Sequence, residues 1–403
     1  MLDTEGIKAN LPRPIRCLHD VGPLRLEAGG VVRAVLDLVE GLARAGSEVT
    51  LATSDPADVP PEWAQSDRRF PRVVTHDRRM SPLLRPRGSA NDLARLIAGA
   101  EVLHLHTPWD PFNLAIAAAA RAAGRPYIVS VHGMLDDWCM AGKAFKKRLF
   151  LAAAGCRMLE GAARVHFTAE AERDQAMKWI PGARPVVLPL LMDTSPYGSL
   201  PGPQAAREAF PAIAEAEVAG EPRLLFLSRV DPKKGIDLLI RAVATLAASG
   251  QPTHALIAGP GDPAYVATLQ RLAESLGVAG RIHFLGMVRG ELKWSLYQAC
   301  DVFVLPTHQE NFGIVLVEAM GCGLPTLTTR QVDIWREIER CGARITEDSS
   351  APITQTLGEM LADLPAARSA AANGRERLLG WLDPDRLADE YLALYAQVVA
   401  EAS

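Results

Sequence analysis

The feature that most constrains this chain is an element order that occurs twice: a short unalternating apolar run, a loop holding glycine, a helical run, then another apolar run. "IRCLHDV" (15–21) leads through a loop ending in Gly29-Gly30 to the helical pattern "VVRAVLDLVEGLARAG" and then to "EVTLATS". Apolar runs of this length without alternation read as strands covered on both faces. Strand, glycine loop, helix and strand in that order are the mark of a parallel sheet. The order returns at "AEVLHLHT" (100–107), "NLAIAAAARAAG" and "PYIVSVHG" (126–133), followed by a helical stretch over 143–163, "ARVHFTA" and "RPVVLPL". It starts afresh with "RLLFLSR" (223–229), "THALIAGP" (253–260), "RIHFLG" (281–286), "DVFVLPT" (301–307) and "LPTLTT" (324–329). Between the halves, "DTSPYGSLPGPQ" (193–204) is dense in Pro, Gly and Ser and reads as a linker. The pattern predicts two doubly wound α/β domains with a cleft between them, residues 1–195 and 205–380, behind a polar tail (1–13). Ligands of such sheets sit at the carboxyl ends of the strands.

A chain of 403 residues is too long for one ordinary core, which agrees with two domains. A net charge of −4 gives no whole-molecule reason to expect nucleic acid. The six cysteines are scattered with no CxxC pair, which fits reduced, buried thiols better than a disulfide framework. The opening residues lack the basic-then-apolar order of a signal peptide, and no window approaches the ~20 apolar residues of a spanning helix. The expectation is a cytoplasmic protein, with any membrane contact peripheral.

Chemistry concentrates in "THQENFGIVLVEAMGCGLPTLTT" (307–329), where Glu310 and Glu318 flank the start of an apolar helix. A strand-to-helix junction offers free backbone N–H groups and a positive helix end, both suited to phosphate. As an acid–base pair of a hydrolase the two fit poorly. Eight helical residues rise ~12 Å, against roughly 5 to 9.5 Å between hydrolase carboxyls. As sugar ligands they fit well, because a carboxylate accepts two hydrogen bonds from vicinal hydroxyls. A capping Glu310 and a solvated Glu318 stand as the plainer reading of these two alone. The run "LSRVDPKKGID" (227–237) adds Arg229 and Lys234 at the exit of the second half's first strand, where they suit a diphosphate.

Three smaller signals need placing. Asp383-Pro-Asp385 reads as a helix cap with Pro384 at the first helical position, not as a metal-binding DxD. His104 and His106 share a strand face, but no third metal ligand stands near them in sequence. The segment "DDWCMAGKAFKKRLF" carries Lys143, Lys146, Lys147 and Arg148 beside Trp138, which suits either a solvated helix face or an anionic lipid surface.

The ordered set "EAGG" (27–30), "HLHTPW" (104–109), "VSVHGMLDDW" (130–138), "TAEAERDQA" (168–176), "SRVDPKKG" (228–235), "AGPGD" (258–262), "FLGMV" (284–288) and "E-NFGIVLV-E" (310–318) resembles the retaining glycosyltransferases of family 4. The likeness runs from about residue 15 to 400 and implies a GT-B fold. In that fold two Rossmann-like domains face each other, and the final helix (381–403) crosses back to the N-terminal domain. It implies an acceptor in the N-terminal domain and a nucleoside-diphosphate sugar in the C-terminal one. Gly29, Gly30 and Gly259 would let backbone approach the donor, and Met287 would line the base. Arg229 and Lys234 would hold the diphosphate with the backbone of Ile314 and Val315, and Glu318 the ribose. Glu310 would hold the transferred hexose beside Asn311, Phe312 and Gly313. His132 would lie near the reacting carbon or the acceptor hydroxyl, and His106, Trp109 and Trp138 near a glycan or lipid-linked acceptor. The implied chemistry is front-face displacement with retention, without metal or other cofactor. "LPLLMD" (188–193) lacks the family's "PNG", and "TTRQVDIWREI" (328–338) is similar to the polysaccharide- and exopolysaccharide-assembly branch. Two rivals remain at this point: a nucleotide-sugar epimerase on the same fold, and a non-catalytic sugar-nucleotide-binding subunit.

Overall fold

The computed structural model describes residues 14–64, 67, 69–78 and 90–403; the expected tail (1–13) lies outside them. The chain divides into two compact units, Met1–Asp193 with Leu382–Ser403, and Thr194–Trp381.

Among the described residues the first unit holds seven parallel strands: β1 (Arg16–Asp20), β2 (Glu48–Thr53), β3 (Arg72–Thr75), β4 (Val102–His106), β5 (Tyr127–Ser130), β6 (Arg164–Phe167) and β7 (Pro185–Val187). Their order is β3-β2-β1-β4-β5-β6-β7. The second unit holds β8 (Arg223–Leu227), β9 (His254–Ala258), β10 (Ile282–Gly286), β11 (Val302–Leu305), β12 (Thr326–Thr329) and β13 (Arg344–Thr346), in the order β10-β9-β8-β11-β12-β13. In each sheet the direction of winding reverses beside the first strand, between β1 and β4 and between β8 and β11. At such a point two neighbouring loops part to opposite faces and leave a crevice at the strand ends.

The central strands are mostly buried, as their continuous apolar runs require; β4 and β9 are buried at every residue. Sequence reading passes over β3 and β13, edge strands of four and three residues with partly exposed faces, because neither forms an apolar run. The 143–163 stretch is broken into helices Ala144–Phe150 and Cys156–Glu160 by a π turn over Leu151–Gly155.

The 193–204 segment is less free than its composition predicts. Tyr197 is buried against Gly321, and Arg375 donates to the carbonyls of Tyr197 (2.6 Å) and Gly321 (2.7 Å). One aromatic anchor outweighs the Pro and Gly around it. The last helix, Pro384–Ala402, packs on the first unit, and Asp383 caps it by accepting from the Arg386 N–H at 2.7 Å, with Pro384 at the first position.

Candidate functional site

In the second unit, close backbone approach brings the loops after β8 and β11 together. Gly235 (φ +65°) ends the turn Pro232–Lys234, and a Cβ there would stand 2.0 Å from the Pro306 carbonyl oxygen. Across that contact the Lys233 carbonyl accepts from the His308 N–H (2.9 Å) and the Thr307 hydroxyl (3.0 Å). The loop after β9 is joined in the same way. Gly259 (φ +140°) has room for no Cβ, which would lie 1.8 Å from the Ser228 carbonyl oxygen. Only glycine satisfies both the dihedral and the space at these two places.

These pins bring Lys234 to Glu310, and the ammonium and carboxylate form an ion pair with the lysine almost wholly buried. A buried ammonium needs such a partner. The second oxygen of Glu310 accepts from the Asn311 N–H at 3.2 Å. Its own backbone is held between the Gln331 carbonyl (2.9 Å) and the Asp333 N–H (3.0 Å). Gly313 (φ +65°, ψ +59°) then turns the chain into α1 (Ile314–Gly321). From Phe312 to Val315 four successive backbone N–H groups have no acceptor among the described residues. Arg229, exposed at the end of β8, makes no hydrogen bond or ion pair among them either. The region therefore presents unpaired positive potential: a free guanidinium, four free amides and a helix N-terminus. Deeper on α1, Glu318 accepts from Lys293 (2.6 Å) and from the Tyr297 hydroxyl (2.9 Å). Burial, with that carboxylate beside it, pushes the Tyr297 phenol well above its ordinary range, so it stays a donor.

In the first unit the strands beside the reversal carry polar side chains at their carboxyl ends. His132, just past β5, has φ +52°, and Thr107, just past β4, has φ +73°. Non-glycine residues pay ~1–2 kcal/mol for the left-handed region, and such outliers persist only where surroundings over-determine them. Here the surroundings are visible. Buried Asn113 donates to the carbonyls of His106 and Thr107, both at 2.9 Å. Buried Glu172 accepts from the Gly133 N–H (2.6 Å) while its other oxygen takes the Thr168 N–H (2.6 Å) and hydroxyl (2.8 Å). The result is a partly exposed His132 held in one pose. Gly29 and Gly30 stand where helix Gly30–Arg44 begins; Gly29 has φ +117° and open space where a Cβ would be.

Residues 212–377 match the family described as "Glycosyl transferases group 1", and residues 29–190 the "Glycosyl transferase 4-like domain". A GDP-mannose-dependent alpha-(1-6)-phosphatidylinositol monomannoside mannosyltransferase from Mycolicibacterium smegmatis is 30% identical over 320 residues, 75% of this chain and 78% of that protein. The chain is a family-4-type glycosyltransferase of the GT-B fold. A D-inositol 3-phosphate glycosyltransferase of the same organism is 30% identical over 204 residues, 49% of this chain and 44% of that one. In fold the glycosyltransferase is similar to sucrose-phosphate synthase of Thermosynechococcus elongatus, with TM-score 0.74, 22% identity, and 96% and 100% of the two chains covered. Anabaena HepE, solved with UDP, gives TM-score 0.75 at 18% identity, covering 95% and 100%.

Set against this glycosyltransferase's geometry, the sequence-predicted residues divide. Lys234, Glu310, Asn311, Gly313, Ile314 and Val315 come together, and Gly259 shapes the backbone that carries Arg229. Phe312 contributes only its backbone, since its ring is buried and stacks on Trp381 at 5.9 Å. Met287 is half exposed just past β10. One expected acceptor contact needs correction. His106 is buried with both ring nitrogens hydrogen-bonded, so it reaches the site only through His132. Trp109 is partly exposed; its indole N–H donates to the Met134 carbonyl at 3.0 Å and its ring meets Phe150. Trp138 stays half exposed. Sequence reading missed Asn113 and Glu172; a glutamate less than one helical turn before "QA" carries no signal until the fold brings Gly133 to it.

Proposed function

We propose that this glycosyltransferase moves a hexose from a nucleoside-diphosphate sugar to a hydroxyl of a glycan or lipid-linked acceptor, with retention and without a metal ion. The observation that carries the proposal is the Lys234–Glu310 pair beside four free amides, with the unpartnered Arg229 on the same loop after β8 that carries Lys234. As the C1–O bond to the diphosphate breaks, negative charge grows on the leaving phosphate, and these groups stabilise it more in the transition state than before. The acceptor oxygen bonds to C1 on the same face, and its proton passes to the departing phosphate oxygen. Lys234 and Arg229 supply the charge that a divalent ion would otherwise bring. Glu310 takes hydroxyls of the transferred sugar, which orients C1. Glu318, oriented by Lys293 and Tyr297, takes the ribose.

The names of the relatives make GDP-mannose the first donor to test and inositol-containing acceptors the first partners. Thermal shift against GDP-, UDP-, ADP- and TDP-sugars, then NMR of the product's anomeric configuration with and without EDTA, tests the reading. Selective stabilisation, a retained anomer and insensitivity to EDTA are expected. An inverted anomer would remove the displacement mechanism, and loss of activity in EDTA would remove metal independence. Sugar conversion with no acceptor present would favour an epimerase.

We also propose that the acceptor is met at a membrane surface. On helix Ala144–Phe150, Phe145 (80% exposed) and Leu149 (59%) stand one turn apart, with Trp138 (50%) on the helix before. Lys143, Lys146 and Arg148 are exposed around them. Lys147 is tied down, donating to the Cys139 carbonyl and lying 5.6 Å from the Trp109 ring centre. No helix of the described residues is long and apolar enough to cross a membrane, so any contact through this patch would be interfacial. Flotation with anionic liposomes should fall for Phe145→Glu and for Lys146→Glu; equal flotation of both variants and the parent would end the idea.

A further inference from the structure

Five histidines, Ser130, Tyr391 and Tyr395 form a connected polar seam inside the first unit. The sheet register builds it. His19 on β1 pairs with His104 on β4, His106 with Ser130 on β5, and Ser130 with His166 on β6. The final helix covers that face with Tyr391 and Tyr395. His19, His104, His106, Ser130, His166 and both tyrosines are buried, so each hydrogen bond must be satisfied internally.

A neutral imidazole has one donor and one acceptor nitrogen, and one fixed end therefore sets the whole chain. That end is the Leu188 carbonyl, which only accepts; it lies 2.9 Å from His166 Nε2, so Nε2 carries the hydrogen. Tyr391, which donates to the Pro189 carbonyl at 3.0 Å, accepts from the same nitrogen. His166 Nδ1 must then accept from the Ser130 hydroxyl (2.7 Å), and Ser130 Oγ from His104 Nε2–H (2.7 Å). His104 Nδ1 accepts from the Tyr395 hydroxyl (2.6 Å), whose oxygen accepts from His19 Nε2–H (3.3 Å). His19 Nδ1 accepts from His106 Nε2–H (3.1 Å), and His106 Nδ1 from His132 Nε2–H (3.1 Å). Every hydrogen is donated in one consistent direction, with the His166 Nε2–H shared between the Leu188 carbonyl and the Tyr391 oxygen.

We propose that this buried chain is a positioning device that fixes His132 as its Nε2–H tautomer, leaving Nδ1 as an unprotonated acceptor for a hydroxyl. That the hydroxyl belongs to a sugar rests on the transferase reading; the tautomer does not. Burial holds His19, His104, His106 and His166 below the ordinary imidazole range, which keeps the chain neutral. The ring nitrogens of His19, His104 and His106 lie close enough together to hold a metal ion. All six of them are engaged in the chain, however, so a metal would have to break it.

The test is long-range proton–nitrogen correlation NMR on protein labelled with 15N-histidine, needing no substrate, with His132 assigned from the His132→Gln spectrum. The parent should show His132 as one tautomer, Nδ1 pyridine-like and Nε2 pyrrole-like. Tyr395→Phe removes one oxygen from the far side of the seam and should turn His132 into a tautomer mixture, as should His106→Phe. His106→Gln, whose amide both donates and accepts, should restore the single form. Circular dichroism and melting curves establish that each variant is folded. A protonated Nδ1 in the parent, an unchanged single tautomer in folded Tyr395→Phe, or a stoichiometric metal removed by chelator would overturn the proposal. A failed transfer assay with the expected tautomer would count against the transferase reading alone.

Discussion

Lys234 and Glu310 depend on each other in the unliganded protein, since a nearly buried ammonium is matched by a carboxylate that accepts little else. In the proposed function, donor binding gives the ammonium phosphate oxygens and the carboxylate sugar hydroxyls, so both groups exchange partners without being left bare. Glu310→Ala should therefore lower kcat by about 100-fold or more while calorimetric affinity for the nucleoside diphosphate stays close to the parent's. Unchanged kcat would contradict the role. Glu310, Lys234 and the Gly313 turn were legible because their chemistry lies in local order: strand, basic turn, strand, acid, glycine, helix. His19, His166 and Tyr395 were not. Their relation depends on register across four strands and on a helix more than 200 residues along the chain, which no local pattern encodes.

Among the elements, the loops that bear the site are held by missing side chains as much as by contacts. Gly220 and Gly235 share a left-handed backbone, φ +66° and +65°, but a Cβ meets nothing at Gly220 and the Pro306 carbonyl at Gly235. Gly220→Ala should cost only the conformational penalty, about 1–2 kcal/mol. Gly235→Ala must also displace the β11 loop and should cost clearly more, with loss of nucleotide binding. Equal melting temperatures for the two variants would show that the close approach has no energetic weight. Apolar runs announced the interior strands, whereas β3 and β13, short and half covered, left no periodic trace. Tyr197 ties the 193–204 segment to the second unit in a way composition does not show, because composition averages over the one residue that anchors.

At the scale of the whole molecule, the buried histidines set a pH limit. Burial lowers His19 from 6.5 to about 3 and His166 to about 4, and holds His104 and His106 well below 6.5. Unfolding returns them to the ordinary range, so below pH ~6.5 the unfolded chain binds more protons than the folded one. Their stabilisation is complete above that pH and is lost as pH falls toward 4, at up to about 1.4 kcal/mol per pH unit for each group. Asp37 acts in the opposite sense, because burial raises it from 3.8 to about 6, but it is one group against several. The melting temperature should fall steeply from pH 7 to 5, and a flat profile would contradict the neutral seam. In the account proposed, the two doubly wound units, legible from repeated strand–helix order, serve different ends: one orders a histidine, the other gathers charge for a diphosphate.

That gathering of charge is the central claim, and calorimetry of Arg229→Ala tests it most directly, because this exposed side chain has no protein partner among the described residues to lose. Nucleoside diphosphate affinity should fall roughly 10- to 100-fold, the worth of one charge-assisted hydrogen bond, while nucleoside affinity stays unchanged. Equal affinity of parent and variant for the diphosphate would contradict it.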